Sequence, residues 1–226
     1  MIPWEFLGSA PIPGSRDELS LMRRGTEFSI RVDRDELMNS RLHGSEEALA
    51  RLACHRIASR RRPRVLVGGL GMGYTLSALL RELESDADVL LVELSPAVVA
   101  WNRGPLADLA GRPLEDARVK VLEGDVADAL RASSACYDSI LLDVDNGPEG
   151  FTRGGNDWLY GQSGLDAAFR ALRPGGIFAV WSSAPDRRFT TRLRRTGFKV
   201  DDLRIPARGD QGGPIHTIWI AETPGC

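Results

Sequence analysis

Between residues 64 and 73 the chain reads RVLVGGLGMG, an apolar run ending in Gly69, Gly71 and Gly73 at G-x-G-x-G spacing. Glycines so placed between a strand and a helix let backbone N–H groups approach a ligand at the helix start. A dinucleotide site would want its third glycine where this chain has Tyr74, so the loop fits a ligand without a pyrophosphate better. The next chemical group is Glu93 in LLVELSP, with Leu94 beside it. A carboxylate about 20 residues past such a loop accepts hydrogen bonds from ribose hydroxyls. The third is Asp125 in LEGDVADAL, flanked by Gly124 and Val126, where a side chain meets an adenine amino group. Each acid alone is also compatible with a helix cap or a solvated loop. Taken with the glycine loop, at the ends of three successive strands, they point to an adenosyl ligand.

Three strand ends can converge only in a particular frame. From residue 64 the pattern alternates: RVLVGG, a helix over 73–84, DVLLVEL, a helix over 96–110, RVKVLEG, a helix over 126–132, YDSILLDV, a helix over 163–172, and GIFAVW. Strands this uniformly apolar, separated by helices, form a parallel sheet covered on both faces. A helix near 186–196 then precedes FKVDDLRIPA and IHTIWIAE, an antiparallel strand pair that closes the sheet. That order predicts an α/β, Rossmann-like fold, the architecture of class I S-adenosylmethionine-dependent transferases. Upstream, residues 1–18 are rich in proline and glycine without a period and read as an arm on the domain. Residues 19–43 carry two strand-like runs around RRG, a small N-terminal β-hairpin. GSEEALARLACHRIAS opens the main domain, 44–226, with a helix whose first turn holds Glu46 and Glu47.

Composition narrows the function classes. A formal net charge of −2 among 226 residues gives no global drive toward nucleic acid or an anionic membrane. The apolar runs are strand-sized, far short of the ~20 residues of a membrane helix. MIPWEFLGSAPIPGS lacks the basic start and apolar core of a signal peptide, so a cytoplasmic location is expected. Cys54, Cys136 and Cys226 show no C-x-x-C or Cys/His cluster, which leaves reduced structural thiols and no metal site. The arginines of HRIASRRRPR are most simply cations at a helix C-terminus. His216 reads as a core or edge histidine.

From about Leu19 to Ala221 the chain resembles the spermidine synthase (polyamine aminopropyltransferase) family, in its short bacterial branch. ELMNSRLHGSEEAL stands where that family has an LDG-x-x-Q segment and helix, GGLGMG where it has its glycine loop, and LLDVDNGPEG where it has a D-S-x-D-P-x-G-P gate. The resemblance implies a transferase that uses decarboxylated S-adenosylmethionine, or S-adenosylmethionine itself, and a small-molecule acceptor, in the family an amine. It leaves a homodimer open. It also implies that Asp143 is the catalytic aspartate, since a strand-tip carboxylate beside the sulfonium can take the proton an amine must shed. Asp145 is a second candidate. The loop DNGPEGFTRGGND reads as a lid, and His43, Asn146, Trp158 and Tyr160 fall at substrate or lid positions. Two departures stand out: Gly71 replaces an acid of the family's loop, and Asn146 replaces the gate's second aspartate. They keep methyl transfer to a small molecule open as the alternative. A non-catalytic adenosyl-ligand binder is the third reading.

Overall fold

The computed structural model describes residues 2–33, 35–144, 148 and 157–225. Its centre is a seven-stranded sheet built from β5 (Arg64–Gly68), β6 (Asp88–Glu93), β7 (Val119–Glu123), β8 (Tyr137–Leu142), β9 (Leu172–Ser182), β10 (Lys199–Pro206) and β11 (Ile215–Glu222). Their spatial order is β10-β11-β9-β8-β5-β6-β7. The five strands from β5 to β9 are parallel; β10 and β11 pair antiparallel with each other, and β11 runs against β9. Only β11 is therefore reversed relative to the five.

Strand pleating divides the core. Val65, Val67, Val89, Leu91 and Leu141 face one layer, while Leu66, Val92, Ile140, Leu142, Phe178 and Val180 face the other. The first layer packs under α1 (Gly44–Ile57), α2 (Tyr74–Glu82) and α3 (Pro96–Arg103). The second packs under α4 (Val126–Arg131), α6 (Gln162–Ala171) and α7 (Arg187–Thr196), with the short α5 (Asp157–Tyr160) just before α6. The chain proceeds from β5 outward through β6 and β7, then returns to β8 on the other side of β5. Carboxyl-end loops part at that reversal, the place where open α/β sheets bind ligands.

The N-terminal region corrects the sequence expectation. Residues 5–11, expected within an arm, form β1 (Glu5–Pro11), and the expected hairpin is the middle of a four-stranded antiparallel sheet, β1-β2-β3-β4, with β2 (Glu18–Arg24), β3 (Glu27–Val32) and β4 (Asp35–Asn39). β1 escaped notice because it is an edge strand exposed over much of both faces, with a register shift between Phe6 and Gly8, so no apolar alternation marks it. β4 is short and turns in after Asp33, whose φ is +52°. Leu19, Leu21 and Ile30 seat this sheet on the core beneath α1. The helix expected over 96–110 stops at Arg103, where Gly104 and Pro105 end it. Three arginines of the arginine-rich stretch have ion partners: Arg60 reaches buried Asp138, which Arg173 also meets, Arg64 pairs with Asp88, and Arg56 with Asp201. No helix among the described residues is long and apolar enough to cross a membrane.

Candidate functional site

A cleft opens over the carboxyl ends of β5, β6, β7 and β8 and has two lobes. The first is walled by Gly69 and Gly71 of the β5 loop, Glu93 and Leu94 after β6, Gly124, Asp125 and Val126 after β7, and Asp143 after β8. Its roof is apolar and comes from the N-terminal region through Ile12, Leu19, Ile30, Val32, Leu37 and Met38. The second lobe is lined by Glu36, Asn39, Leu42, Glu46, Leu70, Trp181, Ser183 and His216. Leu37, Met38, Gly71 and Asp143 line both lobes, so Asp143 stands on their boundary.

Backbone constraints fix the loop. Gly69 has φ +90°, and a Cβ there would run into the carbonyl of Asp143, so only glycine lets the β5 and β8 ends approach. Gly71, at φ +53°, would carry a Cβ 3.2 Å from Met38 Sδ; the methionine occupies the space a longer side chain would need. Gly73 lines neither lobe: it caps α2 at φ +86° with Asn102 Oδ1 3.1 Å from a would-be Cβ. Its role is helix-start geometry.

The first lobe's acids are held by backbone. Glu93 is buried; one oxygen accepts from Leu70 N–H and the other from Ser95 N–H, both at 2.8 Å. It therefore braces the glycine loop as well as facing the cleft. Asp125 caps α4, accepting from Ala127 N–H at 2.8 Å, so the capping and ligand-facing alternations hold together in one residue. Leu94, nearly half exposed, offers an apolar edge to a flat ring.

The second lobe is different. Asp143 Oδ2 accepts from Thr75 Oγ1 at 2.5 Å, and the same hydroxyl lies 3.4 Å from the Glu46 carbonyl. Burial raises the Asp143 carboxyl to about 6, against the lowering effect of the Thr75 bond. Glu46 is pushed well above the ordinary carboxylate range, first by burial and then by the charges of Asp143 and Glu47. Two desolvated carboxylates facing one space favour a cation between them or a shared proton. Beside Glu46 on α1, Ser45 Oγ lies 2.7 Å from His216 Nδ1 and receives Trp181 Nε1–H at 3.0 Å.

Other expected residues fall elsewhere. His43 stacks on Tyr74 with ring centroids 4.1 Å apart and bonds Glu47 through Nδ1 at 3.0 Å; it lines neither lobe. Tyr160 is buried and donates to the Val144 carbonyl at 3.3 Å, anchoring the segment just after Asp143. Trp158 lies under the Arg131 guanidinium, 3.9 Å from the ring centroid. Asp145 and Asn146, and the expected lid apart from Pro148 and Asp157, lie outside the described residues. Glu46, Thr75, Trp181 and Met38 were not singled out from sequence, and His216 was read as a core or edge residue but lines the second lobe. Glu46 carried the only signal, an acid in a first helical turn, which is ordinary by itself.

Comparison with known proteins follows this geometry. The polyamine aminopropyltransferase of Mycobacterium tuberculosis (strain CDC 1551 / Oshkosh) is 31% identical over 172 residues, 71% of this chain and 32% of that one. The chain thus spans about a third of that relative's length. The crystal structure of spermidine synthase from Thermotoga maritima has a TM-score of 0.74, covering 96% of this chain and 72% of the other at 16% identity. The O-methyltransferase TomG from Streptomyces achromogenes, solved with SAM, has a TM-score of 0.55 at 22% identity, covering 80% of each chain. The spermine/spermidine synthase domain model matches residues 43–187. As that span holds the glycine loop, Glu93, Asp125, Glu46 and Asp143 together, the chain belongs to the spermine/spermidine synthase family.

Proposed function

We propose that this chain is an aminopropyl transferase: the first lobe takes decarboxylated S-adenosylmethionine and the second takes an amine. The observation that carries the reading is Asp143, a desolvated carboxylate on the wall both lobes share. The lobe suits an adenosyl group, with Glu93 and Asp125 as acceptors for ribose and adenine and Leu94 and Val126 as apolar edges. When bound, the sulfonium compound supplies a carbon activated toward attack and leaves as a thioether.

The protein's part is positional and electrostatic. An amine arrives as an ammonium, which Glu46 and Asp143 attract into a space walled by Leu37, Met38 and Trp181. Asp143 accepts the proton that nitrogen must lose, and its raised affinity for protons brings it nearer the working range of a general base. Thr75 holds the accepting oxygen in place. Holding amine and carbon in line in a water-poor lobe supplies the remainder.

The test is incubation with decarboxylated S-adenosylmethionine and a panel of primary amines, with methylthioadenosine as the readout. Release that depends on the amine is expected; none from any amine would overturn the reading. A second reading, methyl transfer from intact S-adenosylmethionine, is favoured by Gly71 and Met38, which place no acid on the loop to repel an α-carboxylate. The intact compound is therefore expected to bind no more than about tenfold weaker than the decarboxylated one, a gap of ~1.4 kcal/mol in a calorimetric titration.

A further inference from the structure

Trp181 and His216 line the second lobe, and Ser45, the neighbour of Glu46 on α1, bonds both. Ser45 is fully buried in the first turn of α1, and Trp181 Nε1–H can only donate to it. The Ser45 hydroxyl proton then has one acceptor within reach among the described residues, His216 Nδ1 at 2.7 Å. The Ser45 hydroxyl can accept from Trp181 and also donate its own proton only if the imidazole is neutral and carries its proton on Nε2. Edge-on packing of His216 against the Trp181 ring, with centroids 4.7 Å apart, fixes the ring plane. Nε2–H is left without a protein partner among the described residues, on a residue that lines the lobe.

The lobe's charges limit what can meet that N–H. Glu36 is already engaged by Ser29 Oγ at 2.9 Å and Asn39 Nδ2 at 2.8 Å. Among the described residues, Glu46 and Asp143 are the lining carboxylates with no cationic partner. They suffice for the reacting amine, and among the described residues no third lining carboxylate is free of hydrogen-bond donors to meet a distal ammonium. A distal ammonium would also set N–H donors against the N–H of His216, and a distal carboxylate would meet two acids. A neutral oxygen fits, because it accepts from Nε2–H and adds no charge.

We propose that His216, locked by Ser45 and Trp181 as an Nε2–H donor, is a specificity-determining residue that selects an acceptor bearing a neutral hydrogen-bond-accepting oxygen beyond its reacting amine, such as an amino alcohol. The proposal rests on the transferase reading for the identity of the second lobe. His216 contacts the acceptor; Ser45 and Trp181 are positioning residues.

The test has two arms. Long-range nitrogen–proton correlation spectra of the full chain at neutral pH report the tautomer directly: His216 is expected to be protonated at Nε2, and Ser45→Ala to abolish that preference. In parallel, 4-amino-1-butanol and 1,4-diaminobutane, matched in length, are titrated calorimetrically into protein saturated with methylthioadenosine. The amino alcohol is expected to bind at least tenfold tighter, with the preference lost in His216→Phe, which keeps a ring against Trp181, and retained in part in His216→Gln, which keeps a donor. An Nδ1-protonated His216, tighter binding of the diamine, or an unchanged preference in His216→Phe overturns the proposal and leaves the transferase reading standing. Binding of neither amine overturns both.

Discussion

The two lobes solve opposite electrostatic problems. In the first, acids are consumed by the fold: Glu93 holds two backbone N–H groups and Asp125 holds the α4 start, so each is oriented before a ligand arrives. In the second, Glu46 and Asp143 are desolvated without a cationic partner among the described residues, and their proton affinities rise accordingly. A binding surface gains from groups already satisfied, because no reorganisation follows ligand entry. A proton-accepting centre gains from a carboxylate whose charge is poorly solvated, because a cation then relieves it. The difference is between stored order and stored cost.

The strongest way to break that contrast is Asp143→Asn. It keeps shape and the Thr75 bond but removes the charge, so turnover should fall roughly 10²- to 10⁴-fold while affinity for an adenosyl thioether stays constant. It should also stabilise the fold. A carboxyl whose folded value of about 6 lies above its ordinary 3.8 favours folding when protonated, and that contribution is lost as pH rises through about 6. Removing the group should raise stability by about 1–3 kcal/mol at pH 8 and by little at pH 4, read as melting temperatures at both pH values. Lower stability of the variant at pH 8 would mean Asp143 is a structural cap.

Glu93→Ala tests the other lobe, with a smaller effect on affinity. Loss of a charged acceptor should weaken methylthioadenosine binding by roughly 1.5–3 kcal/mol. Because two backbone donors also lose their partner, the variant should unfold at lower temperature, a cost that Glu93→Gln should reduce. Undiminished affinity in both variants would remove the ribose assignment.

The pH profile sharpens the comparison. If Asp143 must be ionised, kcat/KM should rise with pH through an apparent value near 6. Thr75→Val removes the bond that lowers it, so the limb should move to higher pH by up to about one unit. A limb unmoved by Thr75→Val would assign it to another group. The smallest effect is expected from Asp125→Asn, which retains a capping oxygen: stability should change by less than about 0.5 kcal/mol, against about 1 kcal/mol for Asp125→Ala in denaturant titrations.

The first lobe was legible in the sequence and the second was not, for a reason visible in its residues. Gly69, Glu93 and Asp125 belong to strand ends, and a parallel sheet brings strand ends together whatever else the chain does. Glu46, Thr75, Trp181 and His216 come from α1, α2, β9 and β11, and no local pattern distinguishes an acid in a first helical turn from one that faces a buried aspartate. β1 was missed because an edge strand has no buried face to impose a period.

By itself the sequence determined the alternation of strand and helix, the glycine loop and the order of acids along the chain, since these follow from backbone sterics and hydrophobic period. Tertiary structure alone decided the roof that β1 to β4 and their connections lay over the cleft, Met38 in the space beside Gly71, and the desolvation that raises Asp143 and Glu46. Burial of a charge is a property of everything packed around it, and most of that packing comes from residues far away in the chain.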